Sequence, residues 1–512
     1  MSKSSSESFI YELPLKVTPE HDSELCTRLD VARQLYHGCL GECLKQISLM
    51  RQSKQWKQAR LLPKKSPERK KLFQENKKQY GFSEYELHKF VGHLRNSCSF
   101  QYHIDSSTAQ KIATKAFQVS EQYLLGKRGK PRFKGYGRLR CIEGKSNVTG
   151  IRFKGGCLCW NIKGGKSLNI PAIFDFQDKH GVESYALNCR TKYVRLVRKI
   201  IKGTRRWYVQ LIQEGKPHQK AKNTIGNDVI GLDMGPSSIA VVASDGAFLT
   251  PFCSDLTPKQ EHIKHLQRRI DRSKRATNPQ NYASDGTLKK GPRQWNRSKR
   301  YQRLQHLVAE ESRKLAETRK RLHGELVNHI LKKGKIIQTE KLSYRAFQKI
   351  FGKSVGFRAP GMFLSMLSRK AESAGGKVEE FSTYQTKLSQ TCHCGRGQKK
   401  ALSERWHSCP CGVYAQRDLY SAFLARHVKN NTLDTHQAQV AWTAAEPLLE
   451  RAVSRLEQSV NGKACLSSFG LNQRQNRSHA KERSPSVEAV DVVDACREPQ
   501  RAGRFAFRTP WL

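Results

Sequence analysis

The chain of 512 residues carries 93 lysines and arginines against 44 aspartates and glutamates, a formal net charge of +49. Self-repulsion on this scale disfavours a compact state unless a polyanion binds, so a small neutral metabolite is excluded as the main partner and nucleic acid or an anionic surface is expected. With 37% hydrophobic residues the chain can bury at least one sizeable core, which excludes wholesale disorder. The length allows about three or four domains.

No run approaches the ~18 consecutive apolar residues of a membrane span, and the N-terminal MSKSSSESFIYELPLKV lacks an apolar export segment, so a soluble, intracellular protein is expected. The alternation from Phe9 to Val17 predicts a strand, and the spacing of Leu29, Val31, Leu35, Leu40 and Ile47 predicts a helix from Leu25 to about Leu49. A basic block, Pro63 to Gly81, separates it from helical stretches at Glu84 to about Leu94 and Ser106 to about Leu125. Any one such basic face reads as solvated surface; several together, in a chain this positive, read as contacts to backbone phosphates.

Gly and Pro then punctuate Leu125 to Arg140, where Lys127, Arg128, Lys130, Arg132, Lys134 and Arg138 interleave with Phe133 and Tyr136. That mixture suits phosphate contact combined with base stacking, although a charged linker has nearly the same composition. Short alternating segments with Gly-rich turns follow and predict a small β-rich domain, with Cys157 and Cys159 packed in one of its strands. A boundary is expected between Lys222 and Asp228. Beyond it, DVIGLDMG predicts a strand ending in an acid, and IAVVASDGAFLTPF a hairpin turning at Ser244-Asp245-Gly246. A basic region from His262 to Arg303 leads into a long helix with an apolar stripe from Leu304 to Leu331, which Gly334 is expected to stop. The strand KIIQTE (335–340), a helix from about Pro360 to Ala374 and the strand KVEEF come next. QRDLYSAFLARHV opens a helix with Asp418 in its first turn, and a last helix spans about Gln437 to Gln458. The tail from Asn461 to Leu512 has no clear period, and disorder is expected there. The fold class is therefore multidomain α+β.

Three carboxylates stand at the ends of these elements: Asp233, Glu340 and Asp418. A two-metal phosphodiesterase needs such groups, because Mg²⁺ ions ~4 Å apart are held by carboxylate oxygens while they activate water and stabilise the leaving oxygen. In the RNase H-like fold such acids converge from distant positions. Singly each is a turn or capping acid, Asp418 above all; jointly, in this element order, they read as a site. The order Asp, Glu, Asp is that of RuvC-like nucleases and differs from the Asp, Asp, Glu of DDE transposases. Asp245 and Glu380 compete for places in the set, Asp245 fitting a hairpin turn better. The fifteen cysteines are mostly scattered, unlike a secreted disulfide framework. The exception is CHCG and CPCG, in which Cys392, Cys394, Cys409 and Cys411 can complete a closed, structural Zn²⁺ site. CxC is tighter than the usual CxxC, so His393 or His407 could replace one of the thiols.

GLDMG at Asp233, IIQTEKLS at Glu340, SQTCHCG with CPCG, and RDLYSAFLA at Asp418 together resemble TnpB, the insertion-sequence-encoded RNA-guided nuclease related to type V CRISPR effectors; GKPRFKG resembles a further TnpB segment. The resemblance extends to about Val428. It implies a first strand (1–20) and a β-barrel-like wedge domain (125–224) with a helical recognition lobe (21–124) between them. It further implies an RNase H-like RuvC nuclease domain (225–390) with a helical insert at about 255–333, a zinc-binding target-nucleic-acid-binding insert (391–414), RuvC C-terminal helices (415–460) and the basic tail (461–512). The implied cofactors are two catalytic Mg²⁺ and one structural Zn²⁺. The implied partners are a guide RNA and double-stranded target DNA cut beside a short motif, in a monomeric ribonucleoprotein of the prokaryotic cytoplasm, nucleoid-associated when on DNA. A transposon or a CRISPR locus could supply the guide. Two departures stand out: RDLYS where the family often has RDxN, and the CxC spacing. A nuclease-dead RNA-guided regulator is the alternative, opposed by the presence of all three acids. A strand-transferring transposase is opposed by their order.

Overall fold

The computed structural model describes residues 7–471, apart from 163, 402 and 461–465. Within them the mixed α and β elements gather around one core in the N-terminal half and two cores on either face of a sheet in the C-terminal half.

In the N-terminal half, β1 (Ser8–Pro14), β2 (Cys141–Glu143), β3 (Thr191–Ile201) and β4 (Thr204–Glu214) form an antiparallel sheet in the order β1-β4-β3-β2. A three-stranded sheet of Arg152–Lys154, Cys157–Trp160 and Leu168–Pro171 is joined to β1 by the bridge between Leu15 and Ala172, and its first strand lies against β3. The two sheets therefore curl around shared apolar residues. Against them packs α1 (Pro19–Gln52), which starts where the Thr18 hydroxyl accepts from the His21 amide and Pro19 enters the first turn. Its stripe of Leu25, Leu29, Leu35, Leu40 and Ile47 is buried, and α2 (Glu84–Ser97) and α3 (Ser106–Leu124) cover it.

One buried cation ties helix to sheet. Arg28 donates to Glu24 at 2.8 Å and to the Trp160 carbonyl at 2.9 Å, with its guanidinium 4.6 Å from the Trp160 ring centre. The helical stretch and the β-rich stretch thus share one continuous core, where separate units were expected. The basic block at 63–81 contains a helix, Pro67–Gln79, in which only Asn76 is buried.

The C-terminal half is built on a five-stranded sheet of β5 (Asp228–Met234), β6 (Ser238–Val242), β7 (Ala247–Pro251), β8 (Gly334–Glu340) and β9 (Lys377–Phe381), in the order β7-β6-β5-β8-β9. The first three strands are an antiparallel meander, and β8 runs parallel to both β5 and β9. Strand alternation sends Ile230, Leu232 and Met234 to one face, where α5 (Lys299–Leu331) and α6 (Pro360–Ser373) bury Val327, Ile330, Phe363 and Leu367 against them. A helix preceding α5, α4 (Thr257–Thr277), pairs with it as a hairpin. Gly231 and Asp233 face the other way, toward α7 (Arg417–Ala425), with α8 (Thr435–Val460) packed on the same side.

Two glycines set these contacts. A Cβ on Gly231 would lie 1.7 Å from the Ala422 carbonyl oxygen, so only glycine lets α7 lie on β5. Gly334, expected to stop α5, instead opens β8, where a Cβ would meet the Asp228 carbonyl at 2.1 Å. The apolar stripe of α5 is also less uniform than its spacing suggests: Leu307 is 43% exposed, because the first half of the helix leans on α4 instead of the sheet. The expected disordered tail does not begin at 461 throughout. Ser467–Phe469 form a turn with Phe469 buried, and Trp406 Nε1 donates to the Gly470 carbonyl at 2.8 Å. The remainder of that tail, 461–465 and 472–512, lies outside the described residues.

Candidate metal centres

Asp233 lies near the end of β5, paired across to Ala240 of β6. Glu340 ends β8, one residue beyond the Thr339–Leu232 pair that aligns β8 with β5, so parallel pairing brings the two acids to the same end of neighbouring strands. Asp418 stands in the first turn of α7, whose N-terminus is capped by the Gln416 side chain accepting from the Leu419 amide at 2.8 Å. The three acids expected from the sequence are thus brought together across the face of the sheet that α7 covers.

Their electrostatics follow from that crowding. Burial, then the neighbouring charges of Asp418 and Glu340, hold the Asp233 carboxyl well above the usual carboxylate range. Burial pushes Glu340 up to about 7, against the opposing Leu388 amide. Burial also raises Asp418, against Arg405 and Arg417, whose guanidinium nitrogens stand 3.7 and 3.9 Å from its Oδ1. Ser238 Oγ approaches its Oδ2 at 3.4 Å. Three acids held toward their protonated forms, with oxygen as the only donor type, fit a hard divalent cation that would neutralise them. The competitors stand elsewhere. Asp245 pairs with Lys333 at 2.8 Å in the β6–β7 turn, and Glu380 is exposed on the edge strand β9.

The thiols are drawn tighter. Among the described residues, Cys392, Cys394, Cys409 and Cys411 are the one group of three or more His, Cys, Asp or Glu side chains whose ligand atoms all lie within 4.8 Å of one another. Cys392 and Cys411 are 3.5 Å apart and Cys394 and Cys409 3.6 Å, close to the edge of about 3.8 Å that a tetrahedron with Zn–S bonds of about 2.3 Å requires.

The two halves repeat one local structure. Gly395 donates to the Cys392 carbonyl and Gly412 to the Cys409 carbonyl, each at 3.0 Å, and both glycines are left-handed, with φ of +84° and +98°. Cys392 and Cys409 donate in turn to the carbonyls of Arg396 and Val413. Burial holds the Cys392 thiol up at about 12; at Cys409 the Cys411 amide and neighbouring thiols outweigh burial and bring it down to about 7. Neither histidine joins the cluster: His393 Nδ1 lies 3.0 Å from the Tyr420 hydroxyl, and the His407 ring stacks on Tyr420 at 4.3 Å.

Of the basic residues singled out between 125 and 140, Lys127, Arg128, Lys130, Arg132 and Arg138 are exposed on irregular backbone. Lys134 is the exception. It is partly buried, its amide donates to His37 Nε2 at 2.8 Å, its Nζ sits 5.1 Å from the Tyr36 ring centre, and burial lowers its pKa. It therefore anchors the segment to α1. Phe133 and Tyr136 remain 55% and 84% exposed between the cations.

The sequence reading missed Gly231, Arg405, Arg417 and Tyr420. Gly231 and Arg417 sit inside the motifs at Asp233 and Asp418 and were available by position; Arg405 reaches Asp418 only through the folded hairpin of Trp406–Ser408 and Tyr414–Gln416. No helix among the described residues is long and apolar enough to cross a membrane.

Solved structures to which the chain is similar include the following two. One is described as a cryo-EM structure of the Cas12f1–sgRNA–target DNA complex, with 12% identity, 81% of this chain and 98% of that chain covered, and a TM-score of 0.43. The other is described as a cryo-EM structure of a CRISPR–Cas12f ternary complex, with 12% identity, 81% and 83% covered, and a TM-score of 0.28. No curated protein sequence matches the chain. Residues 361–424, which hold most of α6, β9, the four thiols and nearly all of α7, match the family model of the Cas12f1-like TNB domain, which bears out the resemblance to TnpB and the related type V CRISPR effectors.

Proposed function

We propose that this protein is an RNA-guided DNA endonuclease with a RuvC-type site formed by Asp233, Glu340 and Asp418. The observation that carries the reading is the convergence of these acids, in the order Asp, Glu, Asp, from two parallel strand ends and the start of the helix whose Tyr420 touches the four-thiol knuckle. The mixed sheet, an antiparallel meander with parallel strands beyond it, supports the RNase H-like domain that the resemblance implies. The Cas12f1-like TNB match over 361–424 adds guide RNA and target DNA as partners by kinship, and the net charge of +49 supplies the means to hold them.

Asp233, Glu340 and Asp418 would hold Mg²⁺, which when bound supplies an activated water and charge stabilisation for phosphodiester hydrolysis. The protein's own part is to keep the three carboxylates on rigid elements and to desolvate them, so that they favour a cation over separate ionisation. Arg405 and Arg417 add positive charge at the edge of Asp418, where a phosphate would enter. The four thiols would hold one structural Zn²⁺ with no open position. The exposed cations at 127–138, with Phe133 and Tyr136, would contact phosphates and stack on bases.

The test is a plasmid-cleavage assay with the purified ribonucleoprotein and Mg²⁺. Guide-dependent cutting that disappears in Asp233→Ala, with RNA binding retained, is the expected result. Binding without nicking by the unaltered protein would replace this reading with a guide-directed DNA-binding regulator.

A further inference from the structure

Where related proteins often read RDxN, this chain reads Arg417-Asp418-Leu419-Tyr420-Ser421, and nothing in the carboxylate site uses the tyrosine. Its side chain is nevertheless among the most enclosed in the protein, 1% exposed. Asp418 and Tyr420 are two residues apart on α7, about 200° around the helix, so they project from opposite faces. Asp418 faces the acids on β5 and β8. Tyr420 faces the thiol knuckle.

There the phenol oxygen meets three partners. It lies 3.3 Å from Cys392 Sγ, accepts from the His393 amide at 2.9 Å and lies 3.0 Å from His393 Nδ1. With Cys392 in the thiolate form that zinc requires, one consistent assignment exists: the hydroxyl donates its single proton to Sγ and accepts from the His393 amide and from Nδ1–H, which fills its whole valence. The ring is clamped as well, stacked on His407 at 4.3 Å and edge-on to Trp442 at 5.3 Å. His407 belongs to the hairpin strand that leads into Cys409, and Trp442 to α8, so one side chain joins three elements around the knuckle. An asparagine at this position would end well short of the thiolate.

We propose that Tyr420 is a positioning residue that couples the zinc knuckle to the nuclease site. By hydrogen-bonding a zinc-ligating thiolate from the helix that carries Asp418, it makes the attitude of that carboxylate depend on an intact knuckle. Hydrogen bonds to metal ligands of this kind change metal affinity by about 10–100-fold when removed. The inference rests on the nuclease reading for its second half only; the bond between hydroxyl and thiolate stands without it.

The experiment uses the full-length protein bound to its RNA and compares the unaltered chain with Tyr420→Phe, which keeps the ring and its stacking. Zinc release to a chromogenic chelator, the thiolate-to-metal charge-transfer band of the cobalt-substituted protein, and the rate of Mg²⁺-dependent DNA cutting are measured together. The expected result is one zinc per chain in both proteins, release about tenfold faster in Tyr420→Phe, a displaced charge-transfer band, slower cutting and unchanged RNA binding. Cys392→Ser, which keeps the tyrosine and removes its metal-ligating partner, should lose both zinc and cutting. Release and absorption identical to the unaltered protein would overturn the hydroxyl–thiolate bond. Faster release with cutting unchanged would overturn the coupling to Asp418. An unaltered protein that binds zinc and never cuts would overturn the nuclease reading alone, while the release and absorption measurements would still decide the bond.

Discussion

The two candidate metal centres share α7 and are built in opposite ways. The thiols come from two copies of one short turn between 392 and 411, each closed by its own amide–carbonyl bonds and a left-handed glycine, so the site is assembled locally. The carboxylates come from positions 233, 340 and 418 and meet only because β8 pairs parallel to β5 and α7 lies flush on Gly231. The thiol site takes all its ligands from one short segment and only a supporting hydrogen bond, from Tyr420 of α7, from elsewhere, whereas the carboxylate site needs the whole sheet and α7 to bring its ligands together. Local assembly gives tolerance of distant change; assembly by packing gives sensitivity to it.

That contrast can be broken in several ways. The largest effect is expected from Asp233→Ala, which should abolish guide-dependent DNA cutting while zinc content is unchanged, measured by single-turnover cleavage and metal analysis, because the cation it would hold supplies several kcal/mol of charge stabilisation. Removing zinc with a chelator should loosen the knuckle itself. Hydrogen exchange should rise sharply across 391–414, because zinc binding and folding of such a knuckle are one equilibrium worth on the order of 10 kcal/mol, while β5 and β8 stay protected.

Gly231→Ala comes next. Its added Cβ, 1.7 Å from the Ala422 oxygen, must push α7 off the sheet. The cost should be about 3 kcal/mol in chemical unfolding, accompanied by loss of cutting, with the four-thiol site still able to bind metal.

A smaller effect separates the sites by pH. In the metal-free fold Glu340 titrates at about 7, against an ordinary value of 4.5. Between those values the folded state keeps a proton that the unfolded state has released, so the stabilising contribution is complete below pH 4.5 and is lost as pH rises through 7. Stability should fall by up to about 3 kcal/mol across that window. Glu340→Gln should flatten the slope, as should saturating Mg²⁺; a slope identical in Glu340→Gln would contradict the assignment. The smallest effect is at the surface. Tyr136→Ala should weaken RNA or DNA binding by about 1–3 kcal/mol if a base stacks there, and neutralising Lys127 should lower the slope of log affinity against log salt by about one.

The same contrast explains what could be read from the residues alone. The thiol turns are legible because CHCG and CPCG carry their geometry within four residues each. The carboxylates were legible as strand-end and helix-start acids in a telling order, and α1, α3, α6 and α8 from their periodicity. What escaped depends on contacts that no local pattern records. Arg405 becomes a neighbour of Asp418 only when its hairpin folds back, and Lys134 reads like its exposed neighbours until α1 supplies His37 and Tyr36 to receive it. Gly334 has the look of a helix stop, yet it is required where β8 meets β5. The merging of helices and β-strands around Arg28 likewise depends on a cation whose partner on the sheet, the Trp160 carbonyl, lies more than a hundred residues away.

The most direct test of the central claim is single-turnover cleavage of a plasmid bearing a site complementary to the RNA that copurifies with the protein, with the unaltered chain and Asp233→Ala run side by side in Mg²⁺. Cutting at that site by the unaltered ribonucleoprotein is expected, with none under a scrambled guide and none by Asp233→Ala at equal RNA occupancy. Equal cutting by both chains, or cutting independent of the guide, would contradict the claim.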